Sequence, residues 1–476
     1  MSDGEILVHE KGYDIQQNVD QFSSGLTNYL QILGLPSDKV LVKVDERRKV
    51  ISNLPDVVNL LDEESKLNAF YISKFIAACS AGLFDAALNF IWNETVANLR
   101  SKVVRFDLEY FFNSVVTDSN RRKKLRSAED LEKIDDWELI RGCHLTGVLS
   151  NVGFQHLDYI RNMRNWASAA HPNQNELTGL QVISWLETCI IEVIGREPSG
   201  PVIEVKRLLH NIRNEILSPN DIGQISANIE MLPSDLAKSL IRTIFGMYTD
   251  PDMSAAAKNN IRFIAQHVWN VSPDEAKYEI GVKYATFAAN AEVARKDSAH
   301  DFLTSVNGLT FLPQDTLTVE LDEKINNLYD AHTGFNNFHN EPAHARIITK
   351  YIPETGSIPD AVRAKYLKTL VMCKIGNGYG FSWDAISYYD MLIERFQEQE
   401  IQIVVYLVTD REISSRLQFT QCADSYKYIC IYLRNRTVNP RTISALDQIC
   451  NATSHQLPNI GKSTEMKRIL GIIKNQ

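Results

Sequence analysis

Along most of the chain apolar residues recur every three or four positions, the period of a helix that buries one face. Between Lys66 and Val104 there is no proline and one glycine, Gly82. Phe75, Ile76, Cys79, Leu83, Ala87, Phe90, Ile91, Val96 and Leu99 keep the helical period there, which predicts one long helix or two helices broken near Gly82. Shorter helical patterns occupy residues 1–65, one of them from Val19 to Leu33. Further patterns run over Ser127 to Leu149, Gly153 to Ala170 and Glu176 to Ile194, the last with Thr178 or Asn175 as its cap.

The turn residues of Gly195-Arg-Glu-Pro-Ser-Gly-Pro201 suggest a domain boundary. Beyond it, helical patterns follow at Glu204 to Leu217, Ser234 to Met247, Ser254 to Val268, Asp274 to Ala294, Leu321 to Phe338, Ala361 to Cys373 and Asp384 to Gln399. No fixed repeat period links them. Ile401 to Val408 and Tyr426 to Leu433 are rich in β-branched and aromatic residues and read equally as strands or as buried helices. The expected fold is therefore mostly α. Residues 1–65 form an N-terminal helical segment, 66–200 a helical bundle, and 201–476 a larger helical solenoid or bundle with a few strands at most near 401–433.

Composition narrows the function. Hydrophobic residues make up 44% and charged residues 23% of the 476 residues, enough to fill a sizeable core. The net charge of −9 argues against a surface coated by nucleic acid, but leaves room for a local basic patch. The opening MSDGEILVHEKGYDIQ lacks the apolar run of a secretory signal, and no apolar run is long enough for a membrane span. The seven cysteines are scattered and form no C-x-x-C pair, the pattern of reduced thiols in a cytoplasmic protein.

One stretch carries chemistry: Tyr159-Ile-Arg-Asn-Met-Arg-Asn-Trp-Ala-Ser-Ala-Ala-His-Pro172. Arg164 and His171 are seven residues apart, close to two helical turns, so their side chains leave one face. Pro172 removes a backbone donor and biases His171 out of helical conformation. Histidine exchanges a proton near neutral pH, arginine stabilises developing phosphate charge, and Asn165 can donate to a phosphate or hold a histidine tautomer. Other Arg–His pairs exist, at Arg262/His267 and Arg295/His300. They lack the polar neighbour, having Phe263 and Lys296 there.

This stretch resembles the HEPN superfamily, whose signature is an arginine, a polar residue that is usually asparagine, and a histidine several positions on. Six residues separate Arg164 from His171, the longest form of that signature. Ala86, Ala87 and Trp92 in the preceding helix add to the resemblance, which covers roughly residues 66–200. It implies a metal-independent endoribonuclease with no cofactor, with Arg164, Asn165 and His171 as catalytic residues. It also implies a homodimer or higher homo-oligomer that brings two motifs together, in a phage-defence or toxin-like setting. Residues 201–476 would then bind a phage or cellular trigger.

Each feature has a plainer role beside it. His171 can be a helix C-cap, and Arg164 can form a surface ion pair with Asp158 or Glu176. Arg161 reads as an RNA contact or as part of a solvated face. Arg121, Arg122, Lys123, Lys124 and Arg126 read as a grip on an RNA backbone or as a solvated loop beside Glu129-Asp130 and Asp135-Asp136-Trp-Glu138. His332, His339 and His344 with Glu341 lack standard zinc spacing, and Gly376-Asn-Gly-Tyr-Gly380 reads as a tight turn rather than a phosphate loop. A HEPN-like fold that binds nucleotides or proteins without cleaving RNA is the alternative function.

Overall fold

The computed structural model describes residues 3–116, 118–167, 177–197 and 199–471. Every regular element among them is helical, as the sequence pattern predicts. The chain divides into two compact units, 1–276 and 277–476. No helix among the described residues is long and apolar enough to cross a membrane.

The first unit contains α1 (Asp3–Ile32), α2 (Val44–Val58), α3 (Glu63–Asn68), α4 (Phe70–Ala81), α5 (Phe84–Phe106), α6 (Leu108–Val115), α7 (Ser119–Arg122), α8 (Asp136–Leu145), α9 (Asn151–Asn165) and α10 (Gly179–Cys189). A π-helical turn, Ile190–Ile194, follows α10. Then come α11 (Gly200–Asn214), α12 (Pro219–Glu230), α13 (Ser234–Thr249) and α14 (Ala255–Val271).

Gly82 decides between the two readings of 66–104. It adopts φ +89°, left-handed, ending α4 so that α5 doubles back as a hairpin. A side chain there would also meet buried Arg47, whose guanidinium donates to Val42 O at 2.6 Å and to Ser23 Oγ at 2.7 Å. α5 is the central helix of this unit, with Ala87, Leu88, Ile91, Trp92, Leu99 and Val103 all buried. The helices α4, α8, α9 and α10 pack around it.

Two expected boundaries fall inside this unit. Residues 1–65 join the bundle because α2 packs along α10. Glu46 Oε2 accepts from the Gly179 amide at 2.7 Å, and any β-carbon on Gly179 would strike the Glu46 carbonyl. The turn-rich segment 195–201 links α10 to α11 within the same unit. The helices beyond it pack back: Ser239 Oγ donates to Leu145 O at 2.6 Å, and Arg213 Nη1 pairs with Asp107 at 2.5 Å. Turn composition marks the end of a helix, and packing decides whether a domain ends with it.

The second unit begins within α15 (Asp274–Ala289). It continues through α16 (Val293–Ser305), α17 (Gln314–Thr333), α18 (Asn337–Thr349), α19 (Asp360–Ile375), α20 (Ile386–Glu394), α21 (Glu398–Tyr406), α22 (Arg411–Arg416), α23 (Thr420–Arg434), α24 (Pro440–Asn451) and α25 (Thr464–Ile469). The ambiguous runs at 401–408 and 426–433 are helical, in α21 and its 3₁₀ extension and in α23. Ile401, Val404 and Val405 on α21, and Tyr426, Ile429, Cys430 and Leu433 on α23, are buried at helical spacing.

Gly142 on α8 faces α6, and a β-carbon there would lie 2.2 Å from Val115 Cγ2 and 2.4 Å from Phe111 Cε2. Gly142→Ala is therefore expected to destabilise the first unit by about 1–3 kcal/mol, the typical cost of overpacking. A thermal or denaturant melt against wild type measures it. An unchanged or raised midpoint would show that α6 and α8 separate freely.

Candidate functional site

The site is built from α5, α8 and α9. Helix α8 starts with a reciprocal cap: Asp135 Oδ1 accepts from the Glu138 amide at 2.8 Å, and the Glu138 side chain accepts from the Asp135 amide at 3.2 Å. This cap sets the position of Asp136, the first residue of α8. Its Oδ2 accepts from Trp92 Nε1 at 2.8 Å and from Arg164 Nη1 at 2.7 Å. The Arg164 guanidinium carbon also lies 5.1 Å from the centre of the Trp92 ring. One carboxylate thus ties the end of α9 to α5 and α8.

Arg164 is placed at the last turn of α9, where a positive charge meets the negative end of the helix dipole. Its Nε and Nη2 donate to Asn165 Oδ1 at 3.1 and 2.5 Å. A guanidinium carries five N–H groups. Those bonds leave one N–H on Nη1 and one on Nη2. The side chain is about one-fifth exposed, and Asn165 is exposed. Arg164 and Asn165 therefore meet as the motif predicts. His171 and Pro172 lie outside the described residues, as does Glu176.

The ion pair expected for Arg164 is real, but its partner is Asp136 rather than Asp158. Asp158 serves Arg161 instead, accepting from its Nη2 at 2.8 Å and its Nε at 3.2 Å. Asp136 was hidden within an acidic stretch that reads as a counterweight to the basic run. The D-x-x-E cap starting at Asp135 was the available signal, because it places Asp136 at a helix start. Trp92 was visible only as part of the family resemblance.

The basic run is largely committed to the fold. Arg121 pairs with both Glu138 oxygens, at 2.5 and 2.6 Å, and donates to Lys133 O at 3.1 Å. Arg122 donates to Asn113 Oδ1 at 2.7 Å and Leu125 O at 2.8 Å, and burial lowers its pKa. Arg121 and Arg122 thus have structural partners within the fold. Lys123, Lys124 and Arg126 are exposed. The other Arg–His pairs are also engaged. Arg262 donates to Tyr248 OH at 2.7 Å, while Arg295 pairs with Glu292 and lies over Phe287.

Among the described residues one group has metal-ligand chemistry: buried His332, Glu341 and Cys373 in the second unit. Its atoms are already matched as hydrogen-bond donors and acceptors. Arg416 Nη1 approaches His332 Nε2 and also donates to Gly376 O at 2.8 Å. Arginine only donates, so Nε2 accepts and the imidazole proton sits on Nδ1, which donates to Glu341 Oε1 at 2.8 Å. Tyr389 OH donates to Glu341 Oε2 at 2.7 Å. A cation on Nδ1 would turn an N–H toward Arg416, so these residues do not fit a metal. His339 and His344 instead line a surface depression with Asp330 and Asn327. Gly376, Gly378 and Gly380 have φ of +84°, +92° and +156°, the tight turn that their spacing predicts.

No family model matches the chain, and no curated protein and no solved structure shows significant similarity to it.

Two outcomes follow. Asp136→Asn removes the charge shared by Trp92 and Arg164 and is expected to cost about 1–2 kcal/mol, as for a hydrogen-bonded charge of partial exposure. A denaturant melt would measure it, and no change would mean that Asp136 does not join the three helices. The second concerns acid. Its hydrogen bond to Arg121 holds the Glu138 carboxyl below its ordinary value of 4.5. A depressed folded pKa stabilises above the unfolded pKa, and that contribution disappears as pH falls through the folded value. Glu138→Gln should therefore flatten the acid limb of the stability–pH profile below about 4.5; a profile parallel to wild type there would count against the pair.

Proposed function

We propose that the first unit is a metal-independent endoribonuclease acting through Arg164, Asn165 and His171, with two copies supplying one complete site. The observation that carries this reading is the placement of Arg164. Trp92, Asp136 and Asn165 fix the guanidinium at the C-terminal turn of α9 and leave it two N–H groups. A preorganised guanidinium stabilises a phosphorane without reorganising during the reaction. Its remaining donors, one N–H on each terminal nitrogen, can make charge-assisted hydrogen bonds to phosphate oxygens.

In the proposed reaction, His171 of one copy takes the proton from a ribose 2′-hydroxyl. The freed oxygen attacks the adjacent phosphorus, and the P–O5′ bond breaks. His171 of the second copy gives its proton to the departing 5′-oxygen. The products are a 2′,3′-cyclic phosphate and a 5′-hydroxyl. Two histidines are needed because each motif offers one proton-transfer group. A metal or cofactor has no part in this scheme. Lys123, Lys124 and Arg126 supply a local grip on the backbone, with Arg161 a further contact if it leaves Asp158. The second unit and the helices from 201 onward would sense the trigger, in a phage-defence or toxin-like response.

The Asp136 ion pair favours a second reading. An arginine neutralised by a carboxylate is also what a structural tie requires, so a non-cleaving HEPN-like scaffold would keep it. RNA cleavage separates the two. Wild type is expected to cut total RNA in the presence of EDTA and to leave cyclic phosphate ends. Arg164→Ala and His171→Ala should lower the rate at least about a hundredfold, the lower range for loss of an acid–base or oxyanion group. Equal activity in wild type and His171→Ala, loss on chelation, or 3′-hydroxyl products would refute the nuclease.

A further inference from the structure

Helix α23 carries large apolar or aromatic side chains on its outer side as well as its inner one. Cys422, Ala423, Tyr426, Ile429, Cys430 and Leu433 fill the core of the second unit. On the opposite side Tyr428 is 66%, Ile431 52% and Tyr432 37% exposed. The outer face of an amphipathic helix is normally polar, so three large side chains there stand out. Tyr428, Ile431 and Tyr432 follow one another at i, i+3 and i+4, so they form a continuous patch rather than scattered residues. Tyrosine is also among the side chains that dominate stable interfaces.

The charges bordering this patch indicate what covers it. Asp424 lies on the same face near the start of α23, exposed, with a 3.4 Å hydrogen bond from Ser454. Arg436 lies just past the other end, also exposed. It stacks on Tyr432 and uses only Nη1 to bond the Ile393 and Glu394 carbonyls. Asp424 and Arg436 are equally distant in sequence from Cys430. When a second α23 is laid antiparallel about a two-fold axis at Cys430, Tyr428 falls opposite Tyr432 of the other copy. Asp424 falls opposite Arg436, and the two Ile431 side chains meet near the axis. The face is thus complementary to itself in shape class and in charge, which is what an isologous contact demands. Residues 277–476 carry equal numbers of acidic and basic residues, so the unit that bears this face has no net charge.

We propose that the outer face of α23 is a self-association surface, occupied by α23 of a second copy in antiparallel register. The proposal is independent of the nuclease reading, because it concerns a different unit and needs no RNA.

The test is a disulfide trap in the full-length chain. Ile431→Cys places two thiols near the two-fold axis, whereas six native cysteines are buried and Cys450 is half-buried. Mild oxidation is expected to give a covalent dimer on a non-reducing gel, several-fold above the wild-type background. Adding Tyr428→Glu to the same chain should abolish the trap. Asp424→Arg should weaken it, and combining Asp424→Arg with Arg436→Asp should restore it, with melting curves confirming that each variant is folded. A trap no stronger than wild type overturns the proposal. So does an introduced thiol that never crosslinks but is shielded from labelling by added RNA, which would assign the face to nucleic acid. Because the trap reads only this face, a dimer held elsewhere leaves it silent, and failure of RNA cleavage does not affect it.

Discussion

The carboxylate of Asp136 is the constraint on which the candidate site depends. It accepts from an indole and a guanidinium that belong to different helices. Remove either donor and the other still has a partner. Remove the carboxylate, and the buried indole N–H loses its acceptor while the guanidinium, still lying over the ring, loses its only charged partner and keeps Asn165 alone. That asymmetry makes Asp136 the hub rather than Arg164. Its own position comes from the reciprocal cap at Asp135 and Glu138, and Glu138 in turn holds Arg121. A chain of local electrostatic choices therefore runs from a helix start, through one carboxylate, to the guanidinium of Arg164.

The second unit contains a similar arrangement without an opening to solvent. Arg416, His332, Glu341 and Tyr389 form a chain in which each buried polar atom meets a partner of the right kind. The positive and negative ends balance across a neutral imidazole, so the group is buried without an unpaired charge. Arg416 also fixes the Gly376 carbonyl and hence the glycine turn. The contrast with the first unit is one of access. His332 and Glu341 are sealed, whereas Asn165 and the edge of Arg164 face outward. Both clusters satisfy their charges, and the first leaves Asn165 and part of Arg164 open to solvent.

How much of this could be read in the sequence follows from the range of each interaction. Helices were legible because their hydrogen bonds are local and their apolar period is written into consecutive residues. Thr178 with Gln181 and Ser254 are caps that the sequence displays openly. The strand-or-helix question at 401–433 was not legible, because a run of buried β-branched and aromatic residues satisfies either geometry. Domain limits rest on packing between residues far apart in sequence. Gly195 to Pro201 looks like a linker, yet Lys102 donates to the Arg196 carbonyl and α13 packs on α6 and α8. The Arg164–Asn165 contact was legible as neighbours in a motif. Its partners Asp136 and Trp92 were not, since they arrive from helices distant in sequence.

Charge distribution adds a final constraint on any ligand of the first unit. Acidic and basic residues balance within 277–476, so the net charge of −9 resides in 1–276. Long-range attraction therefore does not draw a polyanion to this unit, and screening over about 10 Å at ordinary ionic strength leaves only close contacts to matter. An RNA bound at Arg164 must be held by few phosphates, at donors that are already oriented. It would also compete with Asp136 for the same guanidinium, or share it through the two N–H groups left free. Sharing preserves the tie between helices and keeps the arginine charged and fixed, whereas displacement would release the end of α9. A site organised in this way favours a short, well-defined stretch of substrate over a long electrostatic track, because its binding energy comes from geometry rather than from net charge.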